Sequence, residues 1–200
     1  MKLSSCKFAL AALLLVATSL ANATTTVFNA FLDQNEGIPT GSPATGSAVV
    51  TFDNVLNTMH VQVTFAGLLG TTTASHIHAP TPAPFTGTAG VATTTPTFAG
   101  FPLGVTSGTF DNTLDMTQAS SYNPAFVTAN GGTTAGAEAA LFSAMVAGES
   151  YLNIHTSQFP GGEIRGFLIA AVPEPETYAM MLAGLGLLGF IARRRKQKAA

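Results

Sequence analysis

The sequence predicts an all-β protein, a Greek-key-like β-sandwich with one short helix. The clearest evidence is the segment 58–67, in which apolar and polar residues alternate as they do along a half-buried strand. The composition agrees, because Thr, Gly and Ala are abundant and only 9% of the residues are charged. One stretch alone, 136–149, spaces its apolar residues as a helix does.

The strands are justified one by one by short runs with turn residues between them. In 58–67, Met59, Val61, Val63 and Phe65 share the face that we expect to be buried. The segment 79–102 holds five prolines and many threonines, so we expect a long loop there with one short strand near Val91. The remaining candidate strands are Thr26–Leu32, Gly46–Asp53, Ser75–His78, Val105–Phe110, Tyr151–His155 and Glu163–Ile169.

The N-terminus has the organisation of a secretory signal peptide. Lys2 and Lys7 precede a short apolar run, and the triplet Ala21-Asn22-Ala23 follows. A basic region, an apolar region and an A-x-A triplet in that order are typical of such peptides. We therefore assign residues 1–23 to a signal peptide that is removed on export.

The C-terminus, residues 172–200, has three parts of its own. Pro173-Glu174-Pro175 comes first, an uncharged run follows at 177–192, and a basic tail occupies 193–198. As a helix the 16-residue run spans about 24 Å, somewhat short of a typical ~30 Å hydrocarbon core, which thinning of the bilayer can accommodate. We predict a transmembrane helix whose basic end stays in the cytoplasm.

These three parts together resemble the PEP-CTERM sorting signal. The motif residues are Pro173, Glu174, Pro175, Arg193, Arg194 and Arg195. The resemblance implies a Gram-negative bacterium, transient membrane anchoring and cleavage by an exosortase-type membrane protease. It also implies delivery to the cell surface or the extracellular space, in association with exopolysaccharide or biofilm matrix.

The part between the two ends, residues 24–171, has the length of one domain. It holds eight acidic residues and a single basic one, Arg165, so its formal net charge is −7. Nucleic acid is therefore not an expected partner, because binding to phosphates needs basic side chains. The only cysteine, Cys6, lies in the signal peptide, which excludes disulfides and thiolate ligands from the domain.

Three of the four histidines lie in two short pieces, 75–80 and 151–166. On a strand, His76 and His78 share one face while Ile77 points to the core. Similarly, Tyr151, Asn153 and His155 share the face opposite Leu152 and Ile154. If 151–155 and 163–169 form a hairpin, Asn153, His155, Glu163 and Arg165 line one polar face.

These two pieces resemble the CHRD domain, a family found in chordin and in many secreted bacterial proteins. The resemblance covers about Thr25–Ile169, and it implies an extracellular β-domain with no established reaction in bacterial members. Where the family commonly continues Gly-Gln-Leu, this chain has Gly166-Phe167-Leu168. The motif residues, structural or binding, are His76, His78, Asn153, His155, Gly161, Gly162, Glu163, Arg165 and Gly166.

Two interpretations of the histidines stay open. In the first they are structural: His155 bonds to Glu163 across the hairpin, Arg165 pairs with a carboxylate, and His76 and His78 tie down a loop. In the second, His76, His78 and His155 bind copper or zinc as three imidazole ligands, with a redox role as one consequence. The likeness to copper/zinc superoxide dismutase stops at the His-x-His strand, so dismutase activity is not expected.

The sequence favours a non-enzymatic surface or matrix protein over an enzyme. It contains no G-x-S-x-G nucleophile elbow and no phosphate-binding loop with a lysine, and its acids form no pair by spacing. We expect no catalytic residues and no cofactor, with bound copper or zinc as the alternative. The expected partners are the exosortase-type protease and exopolysaccharide or other surface proteins.

Overall fold

The computed structural model describes residues 25–35, 39–171 and 175–198. The signal peptide predicted at 1–23 lies outside the described residues, as do Pro173 and Glu174 of the sorting motif. Eight strands form two antiparallel sheets, which confirms the all-β sandwich. The strands are β1 (Thr25–Leu32), β2 (Thr45–Asp53), β3 (Thr58–Ala66), β4 (Thr72–His78), β5 (Gly108–Asp115), β6 (Tyr151–Thr156), β7 (Ile164–Phe167) and β8 (Ile169–Ala170).

The larger sheet has five strands in the order β5-β3-β2-β1-β8, and the smaller has three in the order β4-β6-β7. Strand β3 buries the alternate residues predicted for it, since Met59, Val61, Val63 and Phe65 are each at most 2% exposed. From the smaller sheet, Ile77, Leu152 and Ile154 join the same apolar core. Period-two alternation therefore decides which face of each sheet turns inward.

Within the described ranges, three α-helices and a short 3-10 helix at Ala119–Ser121 complete the fold; the α-helices are α1 (Pro124–Ala129), α2 (Thr134–Val146) and α3 (Pro175–Lys198). The predicted short helix at 136–149 corresponds to α2, which begins two residues earlier, where the Thr133 side chain accepts a hydrogen bond from Gly136 N. Helix α1 was not predicted. It has only six residues, and its sequence signal is an Asn123 cap followed by Pro124 at the first turn.

Two predicted strands differ from the observed ones. The strand predicted at 105–110 begins later, as β5. Val105 lies instead in the preceding loop, where its carbonyl oxygen accepts a hydrogen bond from Thr72 N of β4. The strand predicted at 163–169 is divided between the two sheets as β7 and β8. Leu168 lies at the crossover and is fully buried. Near Val91 a single bridge to His78 stands in place of the predicted short strand.

Helix α3 begins at Pro175 and contains the run predicted to be helical at 177–192, as well as Arg193, Arg194 and Arg195. In the part of the chain that the structure describes, no helix is both long enough and apolar enough to cross a membrane. The helix predicted at 177–192 is therefore present as part of α3.

Candidate functional site: a three-histidine cluster

Strands β4 and β6 pair in the smaller sheet and place three histidines together on its outer face. The register sets His76 opposite Asn153 and Ala74 opposite His155. One ring nitrogen from each of His76, His78 and His155 lies within 4.8 Å of the other two. The sequence predicted the shared face of His76 and His78, and the strand pairing brings His155 to the same place.

The hydrogen bonds of His78 and His155 fix where each ring carries its proton. His78 Nδ1 lies 2.8 Å from the carbonyl oxygen of Ala89, and His155 Nδ1 lies 2.7 Å from that of Pro160. A carbonyl oxygen only accepts, so both Nδ1 atoms carry hydrogen. In a neutral imidazole the Nε2 atom then carries no hydrogen; that of His78 lies 3.1 Å from His76 Nδ1, and that of His155 lies 3.2 Å from the Asn153 amide nitrogen.

All three rings are uncharged at neutral pH. Burial, together with the neighbouring His155 and His78, lowers the pKa of His76 to about 3. Burial also lowers the pKa of His78 to about 4, against the opposing effect of its bond to Ala89. Burial lowers the pKa of His155 as well, against its bond to Pro160. Neutral imidazoles are the form that binds transition metals.

His76 and Asn153 provide the remaining polar contacts inside the cluster. His76 Nδ1 lies 3.1 Å from His78 Nε2, so it donates to that bare nitrogen when its proton is on Nδ1. The Asn153 amide nitrogen donates to His155 Nε2 at 3.2 Å and to the Gly161 carbonyl oxygen at 3.1 Å. The Asn153 Oδ1 atom is buried without a hydrogen-bond partner.

The side chains of His78, Tyr151 and Arg165 stack on one another. The Tyr151 ring lies parallel to the His78 ring, with centroids 4.8 Å apart, and the Arg165 guanidinium lies 4.5 Å from the Tyr151 centroid on its ring face. Arg165 also donates to the Gly87 carbonyl oxygen at 3.2 Å. Tyr151 was not predicted as a site residue. Its position two residues before Asn153 and four before His155, on the same strand face, is the signal that could have indicated it.

Glu163 does not bond to His155, which corrects the structural interpretation of the hairpin. Its carboxylate turns away from the histidines and accepts four hydrogen bonds, from Ser42 Oγ (2.6 Å), Leu69 N (2.6 Å), Gly70 N (3.1 Å) and Thr156 Oγ1 (2.8 Å). Burial raises the pKa of this carboxyl, but the four bonds outweigh burial and hold the pKa below its usual range. Glu163 therefore joins three segments of the fold.

Two of the three motif glycines lie where a side chain would clash with its neighbours. Gly162 has φ +116°, and a side chain on it would strike the Asn153 amide. Gly166 lies against the Phe31 backbone carbonyl, so a methyl group there would overlap β1. At Gly161, in contrast, a methyl group would meet open space.

The comparisons with known proteins agree with the two resemblances. The model of the CHRD domain matches residues 28–168, and the model of the PEP-CTERM protein-sorting motif matches residues 171–196. Searches of curated proteins and of solved structures found no match.

Proposed function

The chain belongs to the CHRD domain family, and we propose that its domain is an exported surface module that binds one copper or zinc ion through His76, His78 and His155. The proposal includes no reaction. It combines the delivery that the sorting motif implies with the chemistry of the histidine cluster.

The observation that carries the metal site is the convergence of three ring nitrogens within 4.8 Å. His78 and His155 each donate their only ring N–H to a backbone carbonyl oxygen. The Nε2 atom of each ring therefore carries no hydrogen and can bind a metal ion. Such outer hydrogen bonds orient metal-binding imidazoles and fix their tautomer. His76 supplies the third nitrogen, Nδ1, when its proton lies on Nε2 instead.

The kind of metal follows from the ligands. Three imidazoles without a thiolate suit copper and zinc, whereas calcium and magnesium prefer oxygen ligands. Since burial already keeps the rings neutral, binding does not have to displace protons from charged imidazoles at neutral pH.

Delivery is supported by the second family match. The PEP-CTERM motif implies processing by an exosortase-type membrane enzyme, export, and a final position at the surface or outside the cell. We also propose, on the basis of this motif, that the delivered domain resides with exopolysaccharide in a biofilm matrix.

The test is a metal titration of the exported full chain, purified without a polyhistidine tag. We expect one copper or zinc ion per chain, and near-complete loss in the double variant His76→Ala/His78→Ala. His60→Ala is the matched control, because His60 lies on the larger sheet and bonds to Asp111 at 2.7 Å. Equal metal content in the double variant and the wild type would contradict the proposal.

A further inference from the structure

We propose that the pocket beside the three-histidine cluster binds a small carboxylic acid with hydroxyl groups, the class of a sugar acid, whose oxygen atoms complete the coordination of the metal. This inference rests on the proposed metal site and names the ligand of that site.

The pocket opens directly onto two of the three histidines. It encloses about 600 Å³, and its walls include His78 and His155 but not His76. An ion held by all three nitrogens would thus have His76 on the closed side and the pocket on the other. Three protein ligands leave a fourth tetrahedral position for an outside molecule, as in catalytic zinc sites.

The pocket favours an anion once the metal ion is bound. Its wall carries Arg165, the only basic residue among residues 24–171. The stack on Tyr151 and the bond to Gly87 hold the guanidinium in place. A bound metal ion would add further positive charge. Arg is also the residue best suited to planar recognition of carboxylates.

The two acidic residues of the wall are already engaged. The Asp33 carboxylate accepts bonds from the backbone and the side chain of Asn35, at 2.7 and 2.6 Å. The Glu163 carboxylate accepts its four bonds on the side away from the histidines. The wall itself carries a formal charge of −1, from Arg165, Asp33 and Glu163, and a bound divalent ion changes it to +1, which favours a small anion at the metal.

The size and the walls point to a sugar acid. A volume of about 600 Å³ is in the range of small-molecule sites and far exceeds the needs of an inorganic anion. Phe159 and Pro160 offer apolar surface for the C–H face of a sugar ring, while Thr40, Gln34 and Gln158 offer hydrogen bonds to hydroxyl groups. A free sugar acid and the terminal residue of an acidic polysaccharide share this chemistry.

The experiment is calorimetric titration of the zinc-loaded full chain with D-glucuronate, with D-glucose as the neutral control and a short polyuronate oligomer as a third ligand. We expect glucuronate to bind at least tenfold more tightly than glucose, and at least tenfold more tightly to the zinc-loaded chain than to the metal-free chain. Arg165→Gln, compared at matched zinc occupancy, should weaken glucuronate binding about tenfold, and Arg165→Lys less. Binding of the oligomer would identify the end of a polysaccharide as the source, and binding of the monomer alone would identify the free acid.

Zinc content is measured after each titration, so the two proposals fail in different ways. One zinc per chain together with absent glucuronate binding, or with equal binding of glucose, overturns the pocket ligand and leaves the metal site intact. A wild-type chain that takes up neither zinc nor copper, each offered separately, overturns both. Because these outcomes come from the wild-type protein, they do not depend on whether an Arg165 variant folds.

Discussion

Glu163 shows how one buried carboxylate can hold several segments of a fold together. It is 1% exposed and accepts hydrogen bonds from three separate segments of the chain. Hydrogen bonds to a charged acceptor are the stronger class, and a buried donor left without its acceptor is costly. The place of Glu163 in the family motif is therefore explained by stability.

We predict that Glu163→Gln lowers the free energy of unfolding by about 2–4 kcal/mol. The amide nitrogen of the glutamine would face backbone N–H groups, so at least one donor would lose its acceptor. Urea denaturation measures the change, and Glu149→Gln is the control, since Glu149 contributes its backbone groups to the fold. A loss no larger than that of the control would mean that the four bonds do not stabilise the domain.

Glu163 also predicts a pH dependence of stability. Its pKa in the folded protein lies below the usual value, so the carboxylate stabilises the fold above the unfolded pKa of about 4.3. This contribution is lost as the pH falls from that value through the folded pKa, by up to about 1.4 kcal/mol per pH unit for one proton. Denaturation between pH 3 and pH 7 should therefore show a shallower fall for Glu163→Gln than for the wild type, and parallel curves would refute the assignment.

At the scale of elements, the hairpin of β6 and β7 carries both the site and its support. Asn153 pairs with Arg165 across the two strands, and Asp33 bridges from β1 to Arg165. The approach of β1 is close enough that only a glycine fits at position 166. The same hairpin thus presents the histidine face outward and packs against the larger sheet.

Two alanine substitutions in this hairpin test that account. Gly166→Ala should lower the free energy of unfolding by about 1–3 kcal/mol, because the new methyl group would overlap the Phe31 carbonyl and force β1 to move. Gly161→Ala, only five residues away, should change stability by less than about 0.5 kcal/mol, because nothing lies within 4 Å of the added atom. Thermal and urea unfolding of the two variants measure these changes. Equal losses of unfolding free energy in the two variants would argue against the close approach of β1 to Gly166.

Comparison of the elements shows what the sequence can predict. Strand β3 was predicted to within a residue because its apolar alternation is unbroken, and the hairpin with its polar face followed from the turn residues at 160–162. The direction of Glu163 was not predictable, because its partners Ser42 and Leu69 are about 120 and 95 positions away and pair with it only through the tertiary fold. The proton positions on His78 and His155 likewise depend on loop carbonyls that no local pattern identifies.

At the scale of the whole molecule, the chain separates an acidic domain from a basic end. Seven of the eight basic residues lie outside residues 24–171, and five of these follow position 192. The match to the PEP-CTERM motif covers this end of the chain, including Arg193, Arg194 and Arg195. Four of the eight basic residues therefore lie within the matched sorting motif, while the domain keeps a single guanidinium at its pocket.

We predict that Arg193→Ala/Arg194→Ala/Arg195→Ala abolishes processing of the tail and surface delivery, because the basic cluster is part of the signal that the membrane protease reads. Cell fractionation with blotting for the unprocessed chain measures both effects. Lys198→Ala, a basic residue beyond the matched motif at 171–196, is the control for a general effect of lost basic residues. Normal processing of the triple variant would contradict the role of the cluster.

X-ray absorption spectroscopy of the full chain loaded with one equivalent of copper or zinc shows directly whether three imidazoles hold one metal ion. We predict three imidazole nitrogens at about 2.0–2.1 Å and one further oxygen or nitrogen ligand from solvent or the pocket. The imidazole signal should be reduced in His155→Ala and unchanged in His60→Ala. A spectrum with one imidazole or none, and oxygen ligands in their place, would rule out the three-histidine metal site and leave the histidines as structural residues.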